Sequence, residues 1–269
     1  MKEQSHIPQA DDLILSGRKV HFWKGGKGQG LLLIHSAWGD AEMSWSSVWG
    51  RLSDAFTVIA PDLPGFGQSS PITRPTLSAM AHSLKELIEA LNLDRVIVGG
   101  NSFGAAVALQ FACDFPETTI QLVLVDGGYM PVFPGVLRKL IAWPPVNQAF
   151  RRLMLYFSFS SQALKESFVD PSQLPPDFFA VIRRNALVNA PVVFDTLMNL
   201  PGPLPVPKIP TFLIWGKQDR LTPIRQAKVL QKRFHGTMLI SIDGAGHMPQ
   251  VERPQEFITA MVSTGKNAR

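Results

Sequence analysis

The sequence has a single cysteine, Cys113, in 269 residues, so no disulfide can form within the chain. Such a composition points to a reducing compartment, and the chain is read as cytoplasmic. The first residues, Met1 to Asp12, are polar and lack the apolar core of a secretory signal. No run approaches the ~18 apolar residues of a membrane span. Basic residues outnumber acidic ones by 26 to 21, yet they are scattered, with nothing longer than pairs such as Arg138-Lys139, Arg151-Arg152 and Lys232-Arg233. A nucleic-acid partner is therefore not expected. Neither H-x-x-x-H nor C-x-x-C occurs, so no metal site and no cofactor are expected. Low-complexity tracts and repeats of solenoid period are also absent.

What is present is the composition of a globular enzyme-sized domain, with 45% hydrophobic and 17% charged residues, far from the disordered class. Short apolar runs recur at Leu31–Ile34, Val58–Ala60, Val96–Val98, Leu122–Val125 and Phe212–Trp215. Each is continuous rather than alternating, which predicts strands covered on both faces, as in a parallel sheet flanked by helices. Between them Leu77, Met80, Ala81, Leu84, Leu87, Ile88 and Leu91 form one helical stripe, with Thr76 placed to cap it. Thr222-Pro223 reads as the cap and first turn of another helix. The alternation predicts an α/β fold with a doubly wound, mostly parallel sheet. Leu13–Leu15, Ser16-Gly17 and Lys19–Trp23 predict an antiparallel hairpin at its edge.

Residues 129–207 break the pattern. They hold 12 of the 22 prolines and 11 of the 25 aromatics, in interrupted helical segments ending at Pro201-Gly202-Pro203-Leu204-Pro205-Val206-Pro207. The expected organisation is a flexible tail at 1–12, a core at 13–128 and 208–269, and a helical lid at 129–207. The aromatics of the lid fit an apolar pocket roof and fit lid-to-core packing equally well.

Gly100-Asn101-Ser102-Phe103-Gly104 matches G-x-S-x-G. Five residues alone carry little weight, but this match directly follows one predicted strand and opens a helix, the context the motif requires. The chain must reverse within one residue while presenting the Ser102 hydroxyl. Side chains larger than glycine two positions away would meet backbone. A hydroxyl needs a base to become nucleophilic. His247 sits in the glycine-rich loop Gly244-Ala245-Gly246-His247 after the last predicted strand, Met238–Ile242, where such groups gather. The orienting acid is placed at Asp219, in the loop after Phe212–Trp215, giving the order Ser, Asp, His. Asp126, closing the strand before the lid, and Asp243, near His247, are its rivals.

With these residues the chain resembles the α/β-hydrolase superfamily from Leu13 to Val262. The resemblance rests on Leu31–Gly39, the Asp62-Leu63-Pro64-Gly65-Phe66-Gly67-Gln68-Ser69 turn, the Gly100–Gly104 elbow, Trp215–Pro223 and Gly246–Pro254. It implies the α/β-hydrolase fold and an oxyanion hole made of the backbone N–H groups of Ala37 and Phe103. His35 is then a loop brace. Ser36 stands where the family pattern has glycine; a left-handed backbone there would distort the hole. The elbow is similar to that of the C–C bond hydrolases of aromatic ring-fission products. Those often carry tryptophan where this chain has Met248, and use a lid arginine, for which Arg183 and Arg184 stand as candidates. Trp38 and Asn101 are further candidate substrate contacts. A serine nucleophile separates the chain from the dehalogenases and epoxide hydrolases of the same fold, which use aspartate.

Three functions follow as expectations. The first is a carboxylesterase acting on a small or medium acyl ester, with Ser102 as nucleophile, His247 as base and Asp219 as acid. The second is a C–C hydrolase of vinylogous diketo acids. The third is a ligand-binding member of the fold without catalysis. The expected partner is a small molecule bearing a carbonyl, and the expected state is a monomer or homodimer.

Overall fold

The computed structural model describes residues 7–128, 130, 133–200 and 202–266. Its centre is an eight-stranded sheet in the order β1-β2-β4-β3-β5-β6-β7-β8. The five continuous apolar runs are strands β3 (Gln29–Ile34), β4 (Phe56–Pro61), β5 (Val96–Asn101), β6 (Thr119–Val125) and β7 (Thr211–Gly216). They pair in parallel with one another, and β7 pairs in parallel with β8 (Met238–Ile242). Their lack of alternation has the expected cause, since successive side chains enter opposite cores. Leu32, Val98, Leu122 and Leu124 face helices α2 (Leu77–Ala90) and α3 (Phe103–Asp114). Leu31, Leu33, Ile97 and Val123 face α1 (Ala41–Leu52) and the C-terminal α10 (Pro254–Lys266).

At the antiparallel edge, β1 (Gln9–Leu15) and β2 (Arg18–Gly26) form the hairpin, turning at Ser16 and Gly17 with φ of 47° and 74°. This corrects the expected tail. Residues 9–12 are strand, paired from Gln9↔Lys24 to Asp12↔His21; residues 1–6 lie outside the described residues. The strand start carries no apolar signal because Gln9 to Asp12 are exposed. Backbone pairing to β2, with Asp12 bonded to His21 Nδ1 at 2.6 Å and to Lys19 at 2.9 Å, holds them.

Thr76 caps α2 as expected, accepting from the Ala79 N–H at 3.0 Å. Thr222 does not cap α8 (Arg225–Arg233), whose N-cap is Ile224. Its N–H and hydroxyl are engaged by a neighbouring carboxylate instead. Between β6 and β7 the chain forms α4 (Gly135–Ala142), α5 (Pro144–Phe159), α6 (Ser161–Glu166) and α7 (Phe178–Met198), the last containing Pro191. Tyr129, Pro131, Val132 and Pro201 of the expected insertion lie outside the described residues. No helix among the described residues is long and apolar enough to cross a membrane.

The strand order reverses between β3 and β5. The chain leaves β3 toward β4 on one side and resumes at β5 on the other, so the loops after β3 and β5 part and leave a crevice at their carboxyl ends. The register Ile34↔Gly100 sets residues 35–37 beside residues 101–103.

Candidate active site

Ser102 occupies the turn between β5 and α3 with φ 55° and ψ −113°, a left-handed strain that non-glycine residues adopt only when their surroundings impose it. Two close approaches impose it. A Cβ on Gly100 would lie 2.2 Å from the Gly104 carbonyl oxygen, and one on Gly104 2.4 Å from those of Ile34 and His35. The Ser102 N–H donates to the Val125 carbonyl at 2.9 Å, tying the turn to β6.

His247 lies 2.8 Å from Ser102 Oγ through Nε2 and 2.8 Å from Asp219 Oδ2 through Nδ1. Its backbone is clamped from two sides. Its N–H donates to the Ser167 carbonyl at 2.9 Å, and its carbonyl accepts from Asn101 Nδ2 at 3.2 Å. The ring meets Trp38 edge-on at 5.0 Å between centroids. Both His247 and Asp219 are buried, so the Ser102 side alone remains open.

Asp219 is more densely bonded than its motif suggested. Oδ1 accepts from the Leu221 and Thr222 N–H groups at 2.8 and 2.9 Å, and the Thr222 hydroxyl lies 2.5 Å from Oδ2. Burial pushes its pKa up, but the His247 charge and these donors outweigh burial and hold it below the usual carboxylate range. The rival Asp126 is arranged oppositely. It is fully buried with φ 44°; Oδ1 accepts from the Gly216 N–H at 2.9 Å. Its Oδ2 has no partner among the described residues. Burial, and the charge of Asp219 nearby, push its pKa well above the carboxylate range. The contact to His247 Nδ1, at 2.8 Å, is made by Asp219, while Asp126 bonds Gly216. Asp243, the other rival, is exposed and pairs with Gln218 at 2.7 Å.

Ala37, Phe103 and Ser102 line one cavity of about 580 Å³. Phe103 heads α3, where first-turn N–H groups have no partner inside the helix. Ser36 leaves the loop undistorted. Among described residues other than glycine only Ser16, Asn92, Ser102 and Asp126 take positive φ, so the position does not need glycine. His35 braces the loop, bonding the Ser36 carbonyl through Nδ1 at 2.7 Å and accepting from the Leu63 N–H through Nε2 at 2.9 Å. Burial lowers its pKa, which keeps it neutral for this role.

The substrate-contact expectations divide. Trp38 lines the cavity. Asn101 does not; it is buried, bonding the Val125 and His247 carbonyls and accepting from Gln250. Met248 does not; it joins Trp38, Phe168, Phe178 and Ile182 in a small core between the insertion and the loops of the sheet. Arg183 and Arg184 do not; they are exposed on α7 away from the lining. The cation lining the cavity is Arg151 of α5, which the sequence did not distinguish from other basic residues.

Three more residues were not singled out for the site by the sequence. Asn189 of α7 is buried and donates from Nδ2 to the carbonyls of Ala37 and Gly39 at 3.2 and 3.1 Å. Glu252 joins the histidine loop to the insertion, accepting from the Gly246 N–H at 2.7 Å and the Val169 N–H at 2.8 Å. Burial raises its pKa against these donors. Thr222 serves Asp219 as described; its Thr-Pro sequence suggested only a helix start.

The profile of the alpha/beta hydrolase family matches residues 31–260, and the chain belongs to that family. A relative from Comamonas testosteroni, named 2-hydroxy-6-oxo-6-phenylhexa-2,4-dienoate hydrolase, is 27% identical, over 90% of this chain and 90% of that protein. An esterase from Thermogutta terrifontis, solved with malate bound, superposes with TM-score 0.75 at 24% identity, covering 97% of this chain and 99% of that one. A 2-hydroxy-6-oxo-6-phenylhexa-2,4-dienoate hydrolase from Rhodococcus superposes with TM-score 0.74 at 22% identity, covering 96% and 99%. The last two likenesses are of fold.

Proposed function

For this member of the alpha/beta hydrolase family, a hydrolase, we propose cleavage of a small or medium carboxylic ester through a covalent acyl-enzyme on Ser102. The observation that carries the reading is the unbroken line Ser102 Oγ–His247–Asp219, with 2.8 Å at each step, opening into a cavity lined by Ala37 and Phe103. His247 Nε2 takes the Ser102 proton as Oγ attacks the ester carbonyl. The N–H groups of Ala37 and Phe103 bind the oxyanion as charge develops. Asp219 holds Nδ1–H toward itself and stabilises the imidazolium. His247 then protonates the leaving alcohol, and a water activated by the same nitrogen releases the acid and frees Ser102.

The test is hydrolysis of p-nitrophenyl esters together with labelling of Ser102 by a fluorophosphonate. Ser102→Ala is expected to lower kcat by about 10⁶. A folded protein that neither takes the label nor hydrolyses any chain length would instead be a ligand-binding member of the fold.

A second reading, C–C hydrolysis of a ring-fission diketo acid, is favoured by the Comamonas relative. The positions of Arg183 and Arg184 away from the cavity deprive it of the carboxylate clamp expected from them. Decay of such a substrate's absorbance, abolished in Ser102→Ala and faster than ester hydrolysis, would replace the first reading with this one.

A further inference from the structure

The ester-hydrolase reading leaves the acyl group open, and the roof of the cavity narrows it. Met154, Leu155, Val193, Phe194 and Leu197 present apolar side chains from α5 and α7 above Ser102. The cation among the lining residues is Arg151, and it is already engaged. Its guanidinium pairs with Asp195, Nε donates to Asn147 Oδ1 at 2.8 Å, and its carbon stands 4.1 Å above the Phe194 ring. We infer that the cavity selects an uncharged, apolar acyl chain of medium length, and that the Arg151–Asp195 pair is the specificity device that turns carboxylated acyl groups away. The inference rests on the ester-hydrolase reading.

A substrate carboxylate entering this roof meets a cation whose charge is matched, with the like charge of Asp195 beside it. It would lose its hydration without gaining a counter-ion, which is costly for any buried charge. A terminal methyl group meets no such cost. The pair couples α5 to α7, so the contact that joins the two roof helices also balances the charge of Arg151. A cavity of about 580 Å³ falls within the range that encloses a small-molecule ligand.

The experiment compares kcat/KM for p-nitrophenyl acetate, butyrate, hexanoate and octanoate, and for mono-p-nitrophenyl adipate against hexanoate. Each added methylene is expected to raise kcat/KM about fourfold until the cavity is filled, from ~0.8 kcal/mol per buried methylene. The adipate monoester is expected to be at least ~100-fold poorer than hexanoate. Asp195→Asn leaves Arg151 without its counter-ion and should improve the adipate-to-hexanoate ratio at least ~10-fold, mainly through KM. Arg151→Gln leaves Asp195 alone and should lower that ratio further; it keeps the inference falsifiable should Asp195→Asn fail to fold. A labelled Ser102 with a flat chain-length profile, a wild type that accepts adipate as well as hexanoate, or ratios unmoved by both variants overturns this inference and leaves the hydrolase reading standing. An unlabelled Ser102 with no ester turnover overturns both.

Discussion

The floor and the roof of the cavity are held by different forces. The floor is backbone. Ala37, Ser102 and Thr222 sit in loops beyond the carboxyl ends of strands and Phe103 opens α3; ladder-type bonds hold this level, such as Ser102 N–H to Val125 and Asp126 N–H to Ile214 at 2.9 and 3.1 Å. The roof is side chain. On α4 the one buried residue is Ile141, while Val136 and, just beyond the helix, Trp143 stand 83% and 61% exposed. No described side chain of α5 is fully buried. The roof is anchored along α7, where Phe178 and Ile182 are buried and Asn189 reaches the carbonyls of Ala37 and Gly39. Backbone bonds give angstrom-level placement that a side-chain change does not disturb, which suits a nucleophile. Exposed helices joined by a few side-chain contacts can change their lining without losing the fold, which suits selectivity.

The comparison can be sharpened by substitutions at graded distance from the nucleophile. Asp219→Asn replaces the acid of the floor while preserving its shape. The amide cannot stabilise the imidazolium, and kcat on a p-nitrophenyl ester is expected to fall by about 10⁴ with KM nearly unchanged. A fall under tenfold would mean that Asp126, the neighbouring carboxyl, can substitute for it.

Asn189→Ala cuts the roof from the floor. It removes the donors to the Ala37 and Gly39 carbonyls and leaves both oxygens short of a partner. Stability should fall by about 2 kcal/mol, at ~1 kcal/mol per hydrogen bond. If Ala37 is an oxyanion donor as proposed, kcat should fall roughly 10- to 100-fold, less than the 10²–10³ of a deleted donor, because its N–H is displaced rather than removed. If stability falls but kcat holds, the floor is independent of the roof.

Asp126→Asn probes the floor's own electrostatics and should have the smallest effect on rate. Its folded pKa is raised, by burial first and by the Asp219 charge second. A raised acid contributes stability below its unfolded pKa of ~3.9 and loses it as pH rises through the folded pKa. The amide keeps an acceptor for the Gly216 N–H without that dependence. The variant is therefore expected to match the wild type near pH 4 and to exceed it at pH 8 by at least ~1 kcal/mol, about 2–4 °C in Tm. Equal Tm differences at both pH values would show that Asp126 is not neutral in the folded protein.

Much of the floor was legible in the sequence because its signals are local. Apolar runs, a strand-turn-helix context and glycines that admit close backbone approach specify β5, Ser102 and α3 within ten residues. His247 and Asp219 were legible because each follows a strand in a polar or glycine-rich loop. Where reading failed, the cause was a non-local partner. Thr222 resembled a helix cap, but its donors serve Asp219. Asn101 and Met248 adjoin the two reacting residues in sequence, yet one braces a loop and the other joins the small core between the insertion and the loops of the sheet. Arg183 and Arg184 lie exposed on α7, but the cation that lines the cavity is Arg151 on another helix.

By itself the sequence determined the sheet, the elbow and the order of serine, aspartate and histidine, since periodicity and turn chemistry are properties of neighbours along the chain. The sequence favoured Asp219 over Asp126 by position and order, and the tertiary structure added the distance that distinguishes them, 2.8 Å from Asp219 to His247. Its strand order brings Asp126 and Asp219 side by side, where burial and the charge of Asp219 push the pKa of Asp126 up. Only the packing of α5 against α7 joined Arg151 to Asp195, residues 44 apart in the chain, and so set the charge of the roof.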